Sequence, residues 1–373
     1  MSRRSSELTS AQVRAARVAA LLLDSPAPRT PVDVATWCGA LQAQDASSGH
    51  WSLGVRCAGR TETDILAAFE RGEVIRTWPM RGTIHIVPGA DISWMLNLTA
   101  GRALAVALRR REQLGLTAGD GDRAANVLDQ ALAGRECRTR AESLAILEDA
   151  GIDTSGPRAY HLLSYIAHIG VICIGPQRGS DQTFVRISDW APKQVQLDRN
   201  DALAELFYRF VRSHGPVPLR DFVGWTGLTL GDARAAAAAN VGRVESIATE
   251  SGEMWASHEL AATIRADELG AHELLALPGF DEFILGYKDR SLQIPEGAFE
   301  RIVPGNNGVF RATLVEQGAV FATWKRTVRK SAVAIEVEPF APMSARKQRA
   351  AERAFAPYSH FIGMPVEVQF ASP

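Results

Sequence analysis

Gln42 and Gln44 stand one residue apart in the segment Leu41-Gln42-Ala43-Gln44-Asp45, directly after an apolar helical run. A short loop there would present both amides. An amide takes no proton at neutral pH, so such a pair suits chemistry that needs positioning and dipoles rather than acid catalysis. Cleavage of a glycosidic bond to an already cationic base is chemistry of that kind, because the leaving group departs without prior protonation. Asp45 adjoins the pair and is the rival: its carboxylate could act as a general base, or it could simply cap a helix or carry surface charge.

The elements that must position these residues can be read in outline. Thr9-Ser10 can cap a helix reaching Asp24, and Pro31 opens a second helix ending near Leu41. A helical stretch from Glu62 to Arg71 precedes a β-rich segment, Val74 to Val87, ended by Pro88-Gly89, and helices from Asp91 to Gln113 follow. From Asp122 to Ala133, Thr139 to Ala150 and Arg158 to Ile169 the pattern predicts three helices, the second opened by a Thr139/Glu142 capping box. Two short strands follow, Val171 to Ile174 and Thr183 to Ile187. Helices then a hairpin is the winged-helix order. It returns with helices Asp201 to Ser213, Pro218 to Trp225 and Thr229 to Ala239 and strands Val244 to Ala248 and Met254 to Ser257.

The last part changes character. Strands around Glu282 to Leu285, Gly308 to Val315, Ala319 to Thr323 and Ala332 to Val337 predict a small sheet or barrel, closed by a helix from Ser344 to Phe361 and a strand from Val366 to Phe370. The expected fold is therefore α+β: three tandem winged-helix units, 1–118, 119–195 and 196–276, and a β-rich or barrel-like domain, 277–373.

Composition narrows the function classes. The 373 residues are 46% hydrophobic and 22% charged, with a net charge of −1 and a pI near 6.7. Any nucleic-acid contact must therefore come from local basic patches. Arginine dominates the basic residues, with lysine only at Lys193, Lys288, Lys325, Lys330 and Lys347. Cys38, Cys57, Cys137 and Cys173 lack metal-site spacing and read as reduced, buried thiols. Neither metal nor cofactor is expected. Residues 1–7 lead into no signal-peptide core, and Val18 to Leu23 is too short to cross a bilayer, so a cytoplasmic protein without membrane contact is expected.

Three stretches, Leu41 to Asp45, Arg76 to His85 (RTWPMRGTIH) and Phe280 to Arg290 (FDEFILGYKDR), resemble the bacterial winged-helix family of DNA glycosylases that unhook interstrand crosslinks, the azinomycin-resistance type. The likeness continues through Asn306 to Arg311 and Thr323 to Arg326. That family's motif is Gln, an aliphatic residue, then Gln; a second branch has Asp in the third position. The chain carries the first form, with Ala43 a smaller spacer than usual. The resemblance implies that Gln42 and Gln44 are catalytic, that three winged helices cradle a duplex, and that a basic hairpin probes the lesion.

On that reading the partner is damaged double-stranded DNA, bound with little sequence preference by a monomer associated with the nucleoid. N7-alkylated purines are the substrates, and the role is DNA repair or self-resistance to a genotoxin. Alkylation at N7 makes the base cationic, and neutral amide oxygens can position a water and stabilise an oxocarbenium-like sugar. Lys325, Arg326, Arg329 and Lys330 form the better basic patch, suited to a groove or backbone. Arg76 and Arg81 fit phosphate contacts or plain surface arginines around a core Trp78. Arg109 and Arg110 fit phosphate contacts or a helix-dipole partner. His50 and His85 are cleft candidates, and burial in the core is their structural alternative. The rival function is a non-enzymatic winged-helix regulator, for which Arg158, Tyr160 and His161 could read bases. The stretch Ala235 to Ala239 offers no such side chains.

Overall fold

The computed structural model describes residues 7–24, 27, 29–270 and 274–372. Residues 1–6, within the stretch read above for a leader, lie outside these. Helices and strands are mixed throughout, as an α+β fold requires. By internal contacts the chain divides into two compact units: the first joins Met1–Ile65 to Ala204–Pro373, and the second is the insertion Leu66–Leu203.

In the first unit, Thr9 and Gln12 cap each other's backbone at the start of helix Ser10–Ala20. The helix stops short of the expected Asp24 because Leu22 takes a left-handed conformation, φ 59°. Thr30 and Asp33 repeat the capping device at Pro31–Cys38, and Gly39, at φ 78°, ends that helix before Leu41. A two-residue strand, Leu41–Gln42, leads to helix Ala46–Gly54, whose extent the sequence did not give and which Asp45 caps, one of its two expected roles. Its last residue must be small: a Cβ on Gly54 would meet the Phe361 ring at 2.4 Å.

Beyond Ala204 the order is close to the expected one. Helix Arg199–His214 is followed by Leu219–Thr226 and Leu230–Ala239, then by the antiparallel pair Val244–Thr249 and Gly252–Ser257. Apolar residues of the first helix, Leu8 preceding it, Val13 and Ala16, share a core with Met254, Leu260 and Ile264. The amino-terminal helix is therefore packed against the hairpin of Gly252–Ser257 and the helix that follows it.

The carboxy-terminal part corrects three expectations. Glu282–Leu285 is a helical turn and not a strand, because the Asp281 side chain accepts from the Phe283 amide and caps it. The run from Ser344 breaks into Ala345–Ala354 and Ala356–Ile362, where Pro357 prevents continuous helix. The strands do not close into a barrel. Among the described residues they form an open sheet in the order Val366–Phe370, Val333–Pro339, Ala319–Val328, Ala312–Glu316, Leu275–Leu277. All neighbours in it are antiparallel except Val333–Pro339 with Val366–Phe370.

In the second unit, Val74–Met80 pairs with Thr83–Pro88 around Arg81 and Gly82, at φ 56° and 73°. Two successive positive φ values mark the hairpin turn that matches strand twist. The run after Asp91 forms two helices, Ile92–Thr99 and Gly101–Gln113. Helix Ala118–Ala131, strand Cys137–Thr139, helices Arg140–Asp149 and Pro157–His168, and strands Ile172–Ile174 and Thr183–Arg186 follow in order. Strand Cys137–Thr139 was unforeseen; it pairs with Thr183–Arg186. Trp78, Leu128, Leu147, Ile166 and Phe184 belong to this unit's core.

Among the described residues no helix is long and apolar enough to cross a membrane. All four cysteines are free; Cys137 is half-buried and the other three are buried. Burial pushes the Cys38 and Cys57 thiols up to about 12, so neither ionises near neutral pH.

Candidate active site

The glutamine loop is held from beneath by a buried carboxylate. The Gln42 backbone N–H donates to Glu282 Oε1 at 2.7 Å. Glu282 Oε2 accepts from the Trp225 indole N–H at 3.0 Å and lies 3.3 Å from His214 Nε2. His214 in turn has Nδ1 2.8 Å from the Ser213 hydroxyl and stacks on Phe210 at 4.6 Å. That first bond is to the loop's main chain. Gln42 is 8% exposed. Ala43, the small spacer, is fully buried, whereas Gln44 is exposed. The side of the loop that faces outward is thus carried by the second glutamine.

The neighbouring Asp281 fixes the helix that follows the loop. Its carboxylate takes two hydrogen bonds from the Arg56 guanidinium, both 2.8 Å, and one from the Ser52 hydroxyl at 3.0 Å. Burial alone would lower the Arg56 pKa, but the adjacent Asp281 charge more than offsets it and raises it. Trp51, from the same helix, packs edge-on to Tyr358 at 5.1 Å and donates to the Ala276 carbonyl.

Asp45 is committed to structure. It accepts from the Ser48 amide at 2.8 Å and from the Ser47 hydroxyl at 3.0 Å, which is the N-cap arrangement. Burial pushes its pKa up, but these bonds and the Arg326 charge 3.8 Å away hold it below the ordinary carboxylate value. A carboxylate so depressed is a poor proton acceptor.

The basic hairpin reaches this loop. Its strands are Ala319–Val328 and Val333–Pro339, the first longer than expected. Arg326 donates to the Tyr358 hydroxyl at 2.7 Å and to the Ser47 hydroxyl, so it ties the hairpin to the capped helix. Lys325 pairs with Glu336 at 3.1 Å and Glu338 at 3.6 Å, and Arg329 with Glu367 at 3.3 Å. The hairpin is therefore less positive than its cations alone suggest. Lys330 is exposed in its turn.

His50 is buried, with Nδ1 3.0 Å from Glu62, and that bond lowers the Glu62 pKa. The remaining candidates belong to the second unit. Arg76 is 8% exposed and His85 is fully buried, its Nδ1 3.0 Å from the Thr83 carbonyl. Arg81 is exposed at the hairpin turn, and Arg109 and Arg110 are exposed on helix Gly101–Gln113. Arg111 turns inward over the Tyr165 ring at 4.4 Å. Among the described residues no cluster of His, Cys, Asp and Glu could hold a metal ion.

Sequence reasoning missed Asp281, Glu282, Arg56, His214 and Trp225 as the loop's support. The signal was there in Phe280-Asp281-Glu282-Phe283-Ile284-Leu285: two carboxylates inside an apolar run must be paired if the run is buried.

Beside Asp45 the first unit contains a cavity of about 450 Å³, bordered by Phe280, Phe310, Arg311 and Lys325 among others. A braced loop with two amides, a capped carboxylate and a hairpin bearing cations lie together in the first unit. Residues 35–361 match the family described as DNA glycosylase AlkZ-like, and the chain belongs to that family. It is 24% identical over 321 residues to an interstrand DNA cross-link repair glycosylase of Streptomyces sahachiroi, covering 77% of this chain and 80% of the relative. The structure of the Streptomyces sahachiroi DNA glycosylase AlkZ superposes with a TM-score of 0.81 at 20% identity, covering 97% of this chain and all of the other. Family membership favours the enzyme over the regulator, and DNA is its substrate.

Proposed function

We propose that the protein is a monofunctional glycosylase that hydrolyses the N-glycosidic bond of N7-alkylated purines, including purines joined across the strands. One observation carries the reading: a buried carboxylate fixes the Gln42–Gln44 loop through its main chain while Asp45 is engaged as a helix cap. The groups that the loop contributes are then neutral amides. In the reaction a water oxygen bonds to C1′ as the C1′–N9 bond breaks. The bond's electron pair returns to the base and neutralises its positive charge, and the surplus water proton passes to solvent. One glutamine oxygen accepts a hydrogen bond from the water, and the other directs its dipole at the developing charge on the sugar. The crosslink-repair description of the relative supports extending the substrate range to crosslinks.

Three winged-helix units, 1–118, 119–195 and 196–276, and a separate carboxy-terminal domain remain our reading of the architecture. The helix and strand order in Ala118–Arg186 and Arg199–Ser257 supports it for the second and third. The protein acts as a monomer in the cytoplasm, associates with the nucleoid when bound, and reads little sequence, since Ala235 to Ala239 fill the third recognition position. Arg81, Arg109, Arg110, Arg329 and Lys330 are the exposed cations proposed to meet phosphates.

Duplex carrying N7-methylguanine or a nitrogen-mustard crosslink tests this. Gln42→Ala and Gln44→Ala should each slow base release by roughly 10²-fold, the loss typical when one transition-state partner is removed. DNA affinity should stay unchanged. Undiminished release in both variants refutes the assignment.

A further inference from the structure

Purines alkylated by drug-like electrophiles carry the rest of the electrophile with them, and the cavity beside Asp45 has the chemistry to hold such a remnant. Its volume of about 450 Å³ is roughly three times that of the ~150 Å³ cavity known to hold one benzene. Phe280 and Phe310 line it with ring centroids 6.3 Å apart at 54°, and Val309, 53% exposed, extends the apolar wall. Gly279 keeps that wall close: a Cβ there would come 2.7 Å from the Phe310 carbonyl oxygen. Phe280 itself sits at φ 60°, a conformation uncommon for an aromatic residue and one that tends to mark functional positions.

The rim is polar. Arg311 pairs with Glu338 at 3.1 Å, and Lys325 shares the same carboxylate at 3.6 Å. Both cations line the cavity and can donate to carbonyl or hydroxyl groups of an occupant. Asp45 lines it too, and Asp45 follows Gln44 directly, a Cα step of about 3.8 Å. A base held at the glutamine pair therefore has its substituent within reach.

We propose that this cavity is a subsite for the flat, apolar, multi-ring part of an alkylating agent attached at N7, and that it selects bulky adducts over simple methylation. The inference rests on the glycosylase reading above. It does not require the base to enter the cavity, which would separate the sugar from the glutamines.

The test compares single-turnover base release by the full chain from duplexes carrying N7-methylguanine or N7-(4-phenylbenzyl)guanine. Val309→Trp fills the cavity from an exposed position, and Phe310→Ala removes part of its wall. Each should slow release of the phenylbenzyl adduct about tenfold while release of N7-methylguanine stays within about twofold, a scale typical of apolar pocket discrimination. Equal losses on both substrates, or none on either, overturn the subsite while leaving the glycosylase reading intact. A wild-type protein that releases neither base overturns that reading and the subsite with it.

Discussion

Residue identity decides which groups near the loop are available for chemistry. Asp45 was legible in sequence as base or cap, and the bonds from Ser48 and Ser47 make it a cap. Asn caps helices as well as Asp does but cannot take up a proton. Asp45→Asn should therefore keep base release within about threefold, while Asp45→Ala should cost ~1 kcal/mol in urea unfolding. A 10²-fold loss in the Asn variant would restore Asp45 as general base. The sign of its pH effect follows from its depressed pKa. The stabilisation is fully present above the ordinary Asp value of ~3.9 and is lost as pH falls through the lower folded value. The Asn variant should lack that part of the acid sensitivity, as thermal melts between acid and neutral pH can show.

At the scale of elements, Glu282–Leu285 is a single helical turn whose acidic start braces both the glutamine loop and helix Ala46–Gly54. Asp281→Ala would leave the Arg56 guanidinium buried without its counter-charge. It should destabilise the fold by roughly 3–5 kcal/mol, read as a shift in the denaturant midpoint. A change below ~1 kcal/mol would show that Arg56 relaxes to another partner. The turn was misread as a strand because its apolar run is too short to show a period, so length and β-type composition decided the reading. The capping box at Thr139 fared better, since its chemistry is local. The extent of helix Ala46–Gly54 was not legible: Ser47, Ser48 and Gly49 near its start are weak helix formers, and its anchors, Asp281 and Phe361, lie far along the chain.

For the whole molecule, near-neutral net charge means that attraction to DNA depends on a few outward cations. Lys325 and Arg329 are already engaged by Glu336, Glu338 and Glu367, which no reading of basic residues alone could reveal. Lys330, at the hairpin tip, is the cleaner probe. Lys330→Gln should weaken binding to all duplexes alike and reduce the slope of log affinity against log salt by about one unit. An unchanged slope in anisotropy titrations would take the tip away from the phosphates. The order of synthesis carries another consequence. Gln42 and its anchor Glu282 are separated by 240 positions, with the entire second unit emerging between them. A nascent chain can fold that insertion while its glutamine segment still waits for a carboxylate the ribosome has not yet made. Prematurely terminated products ending before that point should therefore be catalytically silent even where their second unit is native.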